Sequence, residues 1–119
     1  MYNMKELQET LKQAARNLEG LGFRSNSFFV DIEDREKSGA EISFTGEEGK
    51  ARTFGGYLEY NRLHYVNVDI SFIISGDKYK ILIQPSIQMM KHESDRKTAI
   101  VHGLTQLIKD IENYRMRHL

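Results

Sequence analysis

Four histidines, His64, His92, His102 and His118, are the side chains of this chain best suited to bind a metal or move a proton near neutral pH. No two of them stand four residues apart, so the paired histidines of an HExxH helix are absent. His92-Glu93-Ser94-Asp95 gathers three ligand types, but at a spacing that fits no zinc pattern, and it reads as the polar start of a helix. The chain has no Cys, which excludes a disulfide scaffold, a thiolate zinc site, an iron–sulfur cluster and a cysteine nucleophile. A serine nucleophile needs a base and an oxyanion hole. No GxSxG elbow is present, and Ser71, two residues from Asp69, has no histidine placed beside it by sequence. Asp31 and Glu33 share a strand face, where one carboxylate could raise the pKa of the other; the plainer reading is a solvated face. An enzyme built on this chain would seat its chemistry on His64, Asp69 and His92.

Two glycine pairs could approach a phosphate. Gly46-Glu47-Glu48-Gly49 carries two acids that repel one. Gly55-Gly56, after Arg52 and Thr53, has no Walker-type lysine and no expected following helix. The aromatic side chains are more suggestive. Tyr57, Tyr60 and Tyr65 gather near one expected turn with Arg52, Arg62 and His64. Tyrosine and arginine are enriched at protein interfaces, and tyrosines on a sheet surface can also stack bases. The same residues would serve equally as braces of a sheet edge, with arginines lying over them.

These residues must be positioned by elements that the apolar spacing makes legible. Leu7, Leu11, Ala14 or Ala15, and Leu18 recur at helical period, Asn3 and Glu6 have capping-box spacing, and Gly20 and Gly22 mark the helix end. Phe28, Val30 and Ile32 alternate with polar positions, as do Ala40, Ile42 and Phe44 after a charged loop. Ala51–Tyr60 suggests a strand with a bulge at its glycines. Val66, Val68, Ile70, Phe72 and Ile74 form one strand face. A Gly76-Asp77 hairpin turn follows, and Tyr79, Ile81 and Ile83 answer until Pro85 stops the ladder. Ile100, Leu104, Leu107, Ile108 and Ile111 form the stripe of a final helix, capped at Ser94 or Asp95.

The expected fold is therefore α+β. An N-terminal helix, an antiparallel meander of four or five strands and a C-terminal helix make a two-layer sandwich, with both helices on one sheet face. At 119 residues the chain fits one domain, 1–119. Lys plus Arg equals Asp plus Glu at 17 each, and residues 61–119 hold 9 basic against 6 acidic side chains, too few for a dense basic surface. No signal-peptide core and no membrane-length apolar run is present, and the expected location is cytoplasmic.

The open sheet face should carry Ile73 and Leu82, near the hairpin, with Phe29 beside them, on a surface otherwise polar. Ile87-Gln88-Met89-Met90 is a further apolar run, suited to a core or to an adaptable surface. The leading expectation is a non-catalytic protein without cofactor or metal. It would bind a partner protein, or a second copy of itself, through the open face and through Arg52, Tyr57, Tyr60, Arg62, Tyr65, Ile73 and Leu82. Small secretion chaperones, toxin-immunity proteins and phage-encoded inhibitors share the same element order at fold level only. The alternatives are a nucleotide or single-stranded nucleic-acid binder using the Tyr/Arg group, and an enzyme of unspecified class.

Overall fold

A computed structural model describes residues 4–31, 39–86 and 93–118. Its elements in chain order are α1 (Met4–Asn17), β1 (Arg24–Asp31), β2 (Gly39–Thr45), α2 (Glu48–Asn61), β3 (Val68–Ser75), β4 (Lys78–Pro85) and α3 (Glu93–Arg117). Short 3-10 turns follow α1 at Leu18–Leu21 and α2 at Arg62–His64.

The expected α+β organisation holds: a helix at each end, a four-stranded antiparallel sheet, and helices packed on the sheet. The buried residues explain the helical face. Leu7, Leu11, Ala14, Ala15 and Leu18 of the first segment are buried, as are Ile100, Leu104, Leu107 and Ile111 of α3. From Leu11 onward they meet Ala40, Ile42, Phe44, Ile70, Tyr79, Ile81 and Ile83 from alternate strand positions in one core. Gly22 ends the first helical segment in the left-handed conformation (φ 96°), and its N–H bonds the carbonyls of Leu18 and Glu19. Gly76 supplies the positive φ (62°) of the two-residue β3–β4 turn, with Ser75 paired to Lys78.

The segment 51–60 and Val66 depart from expectation. Ala51–Tyr60 is helix, not strand. Its buried residues Ala51, Phe54, Gly55 and Leu58 follow the i, i+3, i+4, i+7 pattern. Gly55 has a packing role: a Cβ there would run into the Phe72 ring, so the bare backbone lets α2 seat directly on β3. The second correction is Val66, which lies ahead of β3 and is 55% exposed. The chain turns at Asn67, whose φ of 64° is a conformation that Asn tolerates, and the ladder begins at Val68.

Helix α2 also sets the strand order, β1-β2-β4-β3, so the sheet is antiparallel as expected but is not the expected meander. β2 and β3 each pair antiparallel with β4 and so run parallel to each other, and a parallel connection needs a crossover that here is α2. Helix α3 begins at Glu93, so Ser94 and Asp95 fall in its first turn instead of capping it. Asn3, Ile32, Glu33, the charged loop and Ile87-Gln88-Met89-Met90 lie outside the described residues.

Candidate functional site: the open sheet face

The strand register builds this surface residue by residue. Because side chains alternate, burial of Ile42, Phe44, Ile70, Tyr79, Ile81 and Ile83 forces their neighbours to the opposite face. Across the four strands, Phe29, Glu41, Leu82 and Ser71 stand in one row, and Ser43, Lys80 and Ile73 in the next. Phe29 is 48% exposed and Ile73 49%, and Leu82 is half-buried. Phe29 and Leu82 are two strand spacings apart, roughly 10 Å. Between the apolar positions the Lys80 ammonium meets Glu41 Oε1 at 3.0 Å, a solvent-exposed pair of small energetic weight. Beside Ile73 a hollow of about 220 Å³ is rimmed by Ser43, Ser75, Lys78 and Lys80, with Phe44 and Tyr79 below. The expected placement of Phe29, Ile73 and Leu82 on one uncovered face is thus what the register produces.

The Tyr/Arg group does not form a single surface. Tyr60 is 83% exposed. Tyr57 is half-buried, 5.4 Å from the Tyr114 ring, with the Arg117 guanidinium 5.5 Å from its centroid. Tyr65 is buried, and this corrects its expected role as a contact residue. Both arginines are engaged along α2 and its following turn: Arg52 bonds Glu48 through Nε (3.0 Å) and Nη2 (2.7 Å), and Arg62 Nη1 bonds Glu59 at 3.2 Å. A base-stacking platform needs aligned rings and uncommitted cations; here one ring is enclosed, one is half-covered, and the guanidiniums are paired with carboxylates. The Gly55-Gly56 phosphate cradle is likewise lost, because the pair lies within α2 and Gly55 faces Phe72.

Two of the three proposed enzymatic seats are described, and they stand on different elements. Asp69 is exposed on the open face opposite Gln84. His64 lies in the 3-10 turn, where its carbonyl oxygen is 3.1 Å from His102 Nε2, and its electrostatic partner is Asp110 of α3. His92 lies outside the described residues. Among the described residues no three metal-ligating side chains gather.

Three features went unread in the sequence. Leu63, 88% exposed, joins Tyr60 and Val66 on an apolar knuckle after α2. Asp110 is buried beneath that knuckle, facing Tyr65. Burial raises the Asp110 pKa against the opposing influence of the Tyr65 hydroxyl and the nearby His64, and burial together with Asp110 pushes Tyr65 well above the usual phenol range. The two groups influence each other without hydrogen-bond geometry: Tyr65 Oη and Asp110 Oδ2 have no bonded partner among the described residues. Arg96 is also buried, its Nε and Nη1 unpartnered among the described residues. The available signal was positional, since Asp110 comes three residues after Leu107 and Arg96 four before Ile100, on the apolar stripe itself.

Comparison with known families, curated proteins and solved structures finds no match to this chain. No helix among the described residues is long and apolar enough to cross a membrane.

Proposed function

We propose that this protein acts without catalysis, by binding a partner protein through the open face of its sheet. The observation that carries the reading is the half-exposure of Phe29 and Ile73, flanking Leu82, on the sheet face opposite the core. Apolar positions set among polar ones are the composition of an interface whose core is apolar and whose rim is wet. The hollow beside Ile73 is of a size to take one anchoring side chain of the partner. The Glu41–Lys80 pair adds a donor and an acceptor that fix orientation more than affinity. The knuckle of Tyr60, Leu63 and Val66 is a second exposed apolar site.

We give the nucleotide or nucleic-acid reading second place, because Arg52 and Arg62 each meet a carboxylate and Tyr65 is buried. Light scattering after size exclusion, on protein purified natively, tests the proposal. The expected result is a complex with a second protein, or a closed oligomer, that the double change Phe29→Lys and Ile73→Lys dissolves without altering the melting temperature. A complex indifferent to both substitutions would refute this use of the face.

A further inference from the structure

β3 is an edge of the sheet, and among the described residues no strand pairs with its outer side. The ladder fixes which backbone groups lie there. Ser86 N–H bonds the Asn67 carbonyl at 2.9 Å, and the two-residue turn closes on Ser75 and Lys78. Hydrogen-bonded pairs alternate along an antiparallel ladder. Asp69, Ser71, Ile73 and Ser75 therefore bond β4, and Ile70, Phe72 and Ile74 turn their N–H and C=O groups outward. Pro85 fits this phase, since its partner Val68 needs no N–H from it. No backbone partner meets the three outward residues among the described residues. Natural edges are blunted by lysine, proline or a bulge. β1, the other edge, has a bulge between Ser25 and Ser27, whereas β3 has none of the three and keeps its register throughout. Phe72 and Ile74 on its core face are only half-buried, while Tyr79 and Ile81 across the ladder are buried.

This edge is complementary to itself. A twofold axis through Phe72, normal to the sheet, sets Phe72 against its own copy, Ile70 against Ile74 of the second copy and Asp69 against Ser75 of the second copy, each pair on one face. Lys78 pairs with Ser75 across the hairpin. Its Cα then stands two strand spacings from that Asp69, roughly 10 Å, a gap that the two side chains span. Asp69 and Lys78 are both exposed, and neither has an ion-pair partner among the described residues. The same axis passes the middle of α2, because Gly55 seats on Phe72. Glu48, Arg52 and Glu59 share the flank of α2 that carries Gly55, at i+4 and i+3 spacing, and Arg62 follows in the next turn. Their signs alternate, so α2 antiparallel to its copy sets Glu48 by Arg62 and Arg52 by Glu59. An unrelated strand would satisfy the backbone alone; a second copy satisfies the backbone and both rows of charge.

We infer that the protein pairs with a second copy of itself, β3 antiparallel to β3, joining two four-stranded sheets into one continuous sheet. This pairing does not depend on what the open face binds. Sedimentation equilibrium of the purified chain tests it, with amide exchange on the same samples. The expected mass is twice that of the chain. The amides of Ile70, Phe72 and Ile74 should be protected in the dimer and exchange on dilution, while those of Ser71 and Ile73 stay protected throughout. Asp69→Lys should weaken association about tenfold by facing Lys78. Lys78→Asp should do the same, and the two changes together should restore the dimer. Phe29→Lys, on the opposite edge of the sheet, should leave it intact. A monomer at every concentration overturns the inference. So does a dimer that both single charge changes leave unweakened, one whose three outward amides exchange freely, or one that Phe29→Lys dissolves.

Discussion

Buried polar groups carry the sharpest consequences at the scale of single residues. The Asp110 carboxyl has a folded-state pKa above its unfolded value, so the folded protein holds that proton more tightly. Its contribution favours folding below the ordinary carboxylate pKa of about 3.9 and is lost as pH rises through the raised value. Asp110→Asn should therefore raise the melting temperature at pH 7, with the gain shrinking as pH falls toward about 4. Thermal melts across that range check it, and an equal loss of stability at every pH would contradict it. The adjacent glycines of α2 give a second contrast. Gly55→Ala should cost about 1–3 kcal/mol, because its methyl meets the Phe72 ring. Gly56→Ala, with nothing within 4 Å, should gain up to about 1 kcal/mol from helix propensity. Urea unfolding of the pair reads both signs at once.

Among the elements, the knuckle after α2 depends on α3. His102 meets the His64 carbonyl, and Tyr65 turns inward over Asp110. Removing the first contact by His102→Ala should speed amide exchange at residues 62–67 and lower stability by about 1 kcal/mol; exchange unchanged there would show that the turn holds itself. The terminal helices and the strands β2 and β4 were legible from periodicity alone, because Leu7–Leu18, Ala40–Phe44, Tyr79–Ile83 and Ile100–Ile111 repeat at the spacing of their own structure. So was the inside–outside alternation that places Phe29, Ile73 and Leu82 together. Helix α2 was not legible. Two central glycines oppose a helix by about 1 kcal/mol each, and their reason is tertiary, the Phe72 ring on another element. Val66 was misplaced because it continues the alternation of β3 by two residues, and the break at Asn67 is a backbone conformation that apolar spacing does not record. Tyr65 was misjudged for a related cause: its buried partner, Asp110, is 45 residues away in sequence.

The whole molecule divides its labour between two faces. α3, at 25 residues and roughly 1.5 Å per residue, runs nearly the 39 Å length of the protein and gathers the core on one side. The sheet's other side keeps polar residues around a few apolar ones. The formal net charge is zero, and the cations Arg52, Arg62, Lys80 and Arg115 each meet a neighbouring carboxylate. The central claim is that the open face is where a partner protein sits. A photo-crosslinking side chain placed at position 73, in the cells that make this protein, tests it most directly, with position 9 on the outer surface of α1 as control. The account predicts one discrete protein adduct from position 73 that is absent from position 9. No adduct at 73, or the same adducts from both positions, would contradict it.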